Sequence, residues 1–214
     1  MCARFTLAAP EPALRELIGP ADWAAAQTPR WNIAPGQDVL AVADGAAGRR
    51  AEAVRWGFPG PDGAAPIVNA RFESAATRPL FRHAFVEGRC IVPADAFYEW
   101  RGRGGQPYRV TFRKGALFGL AAIRSQDGGL AIVTRAASAS LAPIHHRMPV
   151  VLETLDAWRA WLGGADGDEL DGSIAGDEAA FHAHPVSRRV NSVLNDDPAC
   201  AAEVAPEGGQ LTLW

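Results

Sequence analysis

Leu117-Phe118-Gly119-Leu120-Ala121-Ala122-Ile123 and Leu130-Ala131-Ile132-Val133-Thr134 are two short apolar runs separated by Arg124-Ser125-Gln126-Asp127-Gly128-Gly129. Runs of this length, rich in Val, Ile, Phe and Ala and bounded by a Gly/Asp cluster, predict strands. Residues 39–43, 53–58, 90–92 and 108–112 have the same character and are separated by further Gly, Pro and Asp clusters. No helix-length segment falls between each pair, which argues against a parallel βαβ sheet. The expected fold class is therefore α+β: a curved, mostly antiparallel sheet or open barrel-like core with peripheral helices. Residues 11–26 and 153–162 predict two of those helices, the second with Leu155, Ala157, Trp158 and Leu162 on its apolar side. Residues 163–176 read as a surface loop and 184–190 as a last strand. There is no internal repeat. Residues 1–200 read as one domain, and 201–214 as a flexible tail.

The 214 residues are 48% hydrophobic, enough for one core. No charged, apolar leader opens the chain, and no run nears the ~18 apolar residues of a membrane helix. Cys2, Cys90 and Cys200 form neither a CxxC pair nor an even framework. Free thiols in a cytoplasmic setting are expected. Charge is uneven: 18 Lys and Arg stand against 12 Asp and Glu up to residue 150, and 3 against 12 after it. A basic body of this kind suits a phosphate backbone, with the acidic end limiting promiscuity.

Several residue types could carry chemistry. Removing Met1 would make Cys2 the amino terminus, with an α-amine and a thiol on adjacent carbons. That pair condenses with an aldehyde to a five-membered thiazolidine. In residues 67–73, Asn69, Arg71 and Glu73 share one face if the segment is extended, and Asn beside Arg suits a sugar hydroxyl and a phosphate. Glu99 lies between Tyr98 and Trp100, where partial desolvation would raise its pKa. His145 sits ahead of an apolar run and could act as an acid or base. No HExxH motif occurs, and His182-x-His184 lacks a third ligand, so neither a metal nor another cofactor is expected.

Taken in order, these segments resemble the SOS-response-associated-peptidase family, also called abasic-site-processing proteins. The resemblance rests on Met1-Cys2-x-Arg4-Phe5, Trp31-Asn32-Ile33-Ala34-Pro35, Arg55-Trp56-Gly57-Phe58-x-Gly60 and Asn69-Ala70-Arg71-x-Glu73-Ser74. It continues through Arg89-Cys90-Ile91-Val92-Pro93, Phe97-Tyr98-Glu99-Trp100, Ile144-His145-x-Arg147-Met148-Pro149-Val150 and His184-Pro185-Val186-Ser187-x-x-Val190. The resemblance implies a β-rich domain with a basic groove for single-stranded DNA containing abasic sites. It implies that Cys2 is the crosslinking nucleophile and that Asn69 orients the terminus and the sugar. Glu99 would move protons during imine formation, and His145 would help open the sugar ring. Arg4, Arg71 and Arg147 would meet phosphates, and Trp31, Pro35 and Trp56 would lie along the groove. It further implies a hydrolase or peptidase class through autoproteolytic loss of Met1, or a lyase-like one.

Two departures stand out. Ala3 replaces the family's usual Gly beside the reacting terminus. The loop after Trp56 lacks the aromatics that relatives use against bases flanking the lesion, a stacking contribution of ~1–3 kcal/mol; Trp31 or Phe58 is left to compensate. At the other end, Gln210-Leu211-Thr212-Leu213-Trp214 resembles peptides that dock on the bacterial sliding clamp, through Gln210, Leu211, Leu213 and Trp214. Other readings are a cysteine peptidase acting through Cys2, His145 and Glu99, and a non-catalytic clamp-associated or DNA-binding module.

Overall fold

In a computed structural model, which describes residues 2–24, 27–102, 104–113, 115–165 and 181–206, the two opening runs form the strands Phe118–Arg124 and Leu130–Ala136. They pair antiparallel, with Ala122 opposite Ile132 and Arg124 opposite Leu130. Gly128 and Gly129 turn the chain at φ +93 and +76, and a Cβ on Gly129 would lie 2.2 Å from the Gly57 carbonyl oxygen. Only glycine combines that backbone with that closeness.

In chain order the described elements are β1 (Phe5–Leu7), α1 (Glu11–Ile18), β2 (Asp22–Trp23), β3 (Arg30–Ile33), β4 (Asp38–Gly45), β5 (Gly48–Arg55) and β6 (Asn69–Arg71). Then come α2 (Phe72–Ala75), α3 (Arg82–Glu87), β7 (Arg89–Ala94), β8 (Ala96–Trp100), β9 (Pro107–Phe112), β10 (Phe118–Arg124) and β11 (Leu130–Ala136). β12 (Arg147–Pro149), β13 (Val151–Leu152), α4 (Leu155–Leu162) and β14 (Phe181–Pro185) follow. One sheet runs β14-β9-β8-β1-β3 and the other β12-β11-β10-β7-β4-β5-β2, with β13 on β10 and β6 on β11. Pairing is antiparallel except β6 on β11 and β2 on β5. The fold is α+β, with two large sheets that do not close into a barrel.

β7 and β10 are buried along almost their whole length, which is why both read as continuous apolar runs rather than alternating ones. α4 covers β7. Thr154 caps it by accepting the Ala157 amide at 3.1 Å. Trp158 and Trp161 are both fully enclosed. Their indole N–H groups donate to the carbonyls of Leu152 at 3.2 Å and Cys90 at 2.9 Å. A Cβ on Gly119 would lie 2.7 Å from the Trp158 ring nitrogen, so that glycine gives the ring its seat.

Several expectations change. The helix of 11–26 ends at Ile18, because Gly19 takes φ +75 and Pro20 follows; the chain then forms β2 beside β5. The helix of 153–162 begins at Leu155, behind its cap. Strand 53–58 is the end of β5 followed by single bridges, Trp56 to Leu130 and Phe58 to Ile67. The strand of 184–190 is β14, and Arg188–Asn191 is a 3-10 turn. Beyond the expected limit at residue 200, Glu203 still bridges to Val186. Residues 166–176 of the expected loop, and Gln210, Leu211, Leu213 and Trp214 of the tail, lie outside the described residues. Among the described residues no helix is long and apolar enough to cross a membrane.

Candidate active site at the amino terminus

The first sheet has two covered faces. Phe5 and Phe97 look into the main core, while Tyr98, Val186, Val190 and Cys200 form a second cluster on the other side. The period-2 alternation of β8 therefore puts Glu99 on the interior side with Phe97. β1 runs antiparallel to β8, Phe5 opposite Phe97, and the Tyr98 amide donates to the Arg4 carbonyl at 2.9 Å. That register carries Cys2 and Ala3 alongside Glu99.

Cys2 is fully enclosed. Its carbonyl accepts from the Asn69 side-chain amide at 2.9 Å, and its Sγ faces the Arg4 carbonyl at 4.0 Å. Burial pushes the thiol well above its ordinary pKa, and the Glu99 charge adds to the rise. Cys2 is thus a thiol, not a thiolate, at neutral pH. The Asn69 Oδ1 is buried with no hydrogen-bond partner among the described residues. An unmet buried acceptor costs ~1–3 kcal/mol.

Glu99 is 4% exposed. Burial pushes its carboxyl up to about 7, with the positive amino terminus opposing the rise. Phe97, Val110, Leu141, Ile144 and Met148 supply the apolar surroundings. At neutral pH such a carboxyl holds its proton about half the time, which suits it to both giving and taking one. His145 Nδ1 lies 3.8 Å from Glu99 Oε2. Burial lowers the His145 pKa, so the ring is neutral. Its Nδ1 lies 3.1 Å from both the amide nitrogen and the carbonyl oxygen of Arg147, so the Arg147 backbone holds the ring in place. Cys2, Asn69, Glu99 and His145 therefore meet at one place, brought from β1, β6, β8 and the approach to β12.

The other sequence candidates divide. Trp56 is enclosed in the core, tilted against Phe5 at 5.4 Å, and its indole N–H donates to the Val68 carbonyl at 2.9 Å. It has no face for a base, so its expected place on the groove is corrected to a core role. Arg4 spends donors on the Val190 and Asn191 carbonyls at 3.0 and 3.4 Å. It ties the segment after β14 to the sheet. Arg147 grips Glu73 with two bonds of 2.7 and 2.9 Å and the Thr134 carbonyl at 2.5 Å. Its side chain is only 13% exposed. Trp31 and Pro35 are half-buried, and the Trp31 carbonyl accepts the Tyr98 hydroxyl at 2.8 Å. Arg71 is exposed and makes no ion pair among the described residues.

Sequence reasoning gave Asn32 no separate role, yet its amide donates to the carbonyls of Val190, Ser192 and Asn195 at 3.2, 2.9 and 2.7 Å. It also passed over Arg78 and Arg82, which are exposed like Arg71 and make no ion pair among the described residues. Their clustering within 71–82, directly after Asn69, was the available signal.

Fold and site together define a protein whose enclosed second residue is held by an amide, near a buried carboxyl that an imidazole approaches. The description "SOS response associated peptidase (SRAP)" matches residues 1–193, and the chain belongs to that family. It is 36% identical over 180 residues to the abasic site processing protein YedK of Escherichia coli, covering 78% of this chain and 81% of that one. It is 31% identical over 189 residues to the abasic site processing protein YoqW of Bacillus subtilis, covering 79% and 84%. Among solved structures, a phage-related protein of Bordetella bronchiseptica superposes with a TM-score of 0.70 at 26% identity, covering 86% of this chain and 94% of that one. A Bacteroides thetaiotaomicron protein at 19% identity shares the fold, with a TM-score of 0.76 and coverage of 95% and 100%.

Proposed function

We propose that this protein processes abasic sites in single-stranded DNA by forming a thiazolidine between Cys2, freed of Met1, and the ring-opened sugar aldehyde. The observation that carries the reading is the enclosure of Cys2 between Asn69 and a Glu99 carboxyl poised near neutral pH. The names of the relatives YedK and YoqW agree with it.

The chemistry runs amine first. An abasic deoxyribose is mostly a closed hemiacetal; the neutral His145 takes the proton of the anomeric hydroxyl while the protonated Glu99 gives one to the ring oxygen, which opens the ring to the aldehyde, and the imidazolium then returns its proton to Glu99. The Cys2 α-amine attacks the aldehyde carbon, and Glu99 gives a proton to the departing oxygen, so one water leaves and an imine remains. The thiol then adds across the C=N bond: sulfur bonds to carbon, and its proton goes, through Glu99, to nitrogen. The product retains one water fewer than the reactants. Trapping the imine removes the intermediate from which strand cleavage would proceed, which protects the strand in the damage response. Arg71, Arg78 and Arg82 are the exposed cations that would follow the phosphates.

A cysteine peptidase is the competing reading, and the electrostatics favour it less. Such an enzyme needs a thiolate paired with imidazolium, whereas here burial pushes the thiol up and lowers the His145 pKa. The test is incubation with single-stranded DNA carrying one abasic site, then a denaturing gel. A heat-stable adduct that disappears when the α-amine is blocked supports the reading. Peptide cleavage that survives amine blocking would replace it. The tail segment from Gln210 to Trp214 would bring the protein to the sliding clamp. A labelled peptide of that segment should bind clamp, and Leu213→Ala should abolish binding; no measurable affinity of the parent peptide removes this part.

A further inference from the structure

The ion pair between Glu73 and Arg147 lies at the rim of the site, and none of the steps above uses it. β11 runs between β6 on one side, in parallel, and β12 on the other, antiparallel. β6 carries Asn69, and the approach to β12 carries His145. The Arg147 guanidinium crosses β11 at Thr134, taking its carbonyl at 2.5 Å and its hydroxyl at 3.3 Å. It ends in a fork on both Glu73 oxygens. That carboxylate stands in the first turn of α2, directly after β6. The Thr134 hydroxyl donates to the Ala70 carbonyl at 3.4 Å, adding a second tie between β11 and β6. The backbone amide and carbonyl of the same Arg147 both lie 3.1 Å from the Nδ1 of His145 and hold the ring.

We infer that Glu73 is a positioning residue, acting through Arg147 to hold the His145 ring and the Asn69 amide in one frame across β11. Three observations support this over a surface ion pair of no consequence. A forked Arg–carboxylate pair has fixed geometry, unlike a single-point contact. The guanidinium is mostly buried while Glu73 is half exposed, 13% against 51%, so the carboxylate comes in from the surface to anchor a cation already inside. The Arg147 pairing also holds the Glu73 carboxyl below its ordinary range, so the pair is intact at neutral pH. The inference rests on the abasic-site reading for its rate test, but its test on the His145 ring stands without it.

The sign of the effect on DNA sets this role apart from phosphate binding. Glu73 is a negative charge beside a site that would accept a polyanion. Removing it should leave equilibrium DNA affinity unchanged or improved while slowing the chemistry. The experiment compares wild type with Glu73→Gln and Glu73→Ala on three measurements: single-turnover crosslinking, affinity for DNA carrying an unreactive tetrahydrofuran abasic analogue, and the ¹⁵N shifts of His145. We expect Glu73→Ala to slow crosslinking on the order of 10-fold or more, to bind the analogue at least as tightly, and to move the His145 ring shifts away from the wild-type pattern. Glu73→Gln, which keeps the shape and one acceptor, should fall between. Wild-type rates in Glu73→Ala, or an unchanged His145 pattern, would overturn the proposal. A rate loss matched by an equal affinity loss would overturn it too, by making the pair part of DNA binding. If wild type itself forms no adduct, the abasic-site reading fails, and the His145 shifts alone decide the role of Glu73.

Discussion

Cys2 and Cys90 are both enclosed by the protein, and burial raises both thiols, that of Cys90 to about 12. Their surroundings differ. Cys90 sits mid-strand in β7 opposite Ala122, its carbonyl taken by Trp161, with its partners used up by the sheet and by α4. Cys2 lies where a strand begins, beside an amide oxygen that nothing satisfies among the described residues and a carboxyl displaced toward neutrality. Burial alone makes a cysteine inert. What separates the two regions is a set of polar groups held in apolar surroundings at a cost in stability, which a core does not tolerate without use.

The largest expected effect breaks the comparison directly. Cys2→Ala should abolish adduct formation with abasic-site DNA, whereas Cys90→Ala should retain the wild-type yield while lowering the melting temperature. Equal loss in both would mean that neither thiol is special. Next, Glu99→Gln should slow crosslinking by roughly 10²–10⁴-fold, measured by quenched time courses, with binding of an unreactive analogue retained.

The same variant sharpens the contrast through stability. The Glu99 pKa is raised in the folded state, so folding binds a proton as the pH rises past the carboxyl's ordinary value of 4.5, and stability is lost as pH climbs from there through about 7. Glu99→Gln cannot ionise. Its advantage over wild type in thermal melts should therefore be absent near pH 4 and reach on the order of 3 kcal/mol above about pH 8. An advantage independent of pH would contradict the buried-carboxyl account. Smallest of all, Arg71→Ala should leave the melting temperature alone and reduce the salt slope of single-stranded DNA binding by about 1.

How far the sequence reveals this depends on whether local or distant residues decide the feature. The strand pairs around Gly128-Gly129 are legible because apolar runs and glycine turns are local signals. The end of α1 was equally available in Gly19-Pro20, but the apolar residues beyond it, Ala21 and Trp23, continue the helical impression while packing against the core ahead of and within β2. Cys2, Asn69, Glu99 and His145 are legible as residue types suited to one reaction; their convergence needed the fold. Trp56 shows the limit. A tryptophan stacks on a base or fills a core with the same side chain, and only its enclosure against Phe5 decides. Arg147 and Glu73 are 74 positions apart, and no local pattern announces that one arginine is already taken by a carboxylate.

The most direct test of the central claim is the intact mass of the adduct formed between this protein and single-stranded DNA bearing one abasic site. The account predicts a species equal to the protein lacking Met1 plus the DNA minus one water, stable without borohydride and absent with Cys2→Ala. An adduct that retains Met1, one that requires borohydride to survive, or no adduct from a chain cleanly lacking Met1 would contradict it.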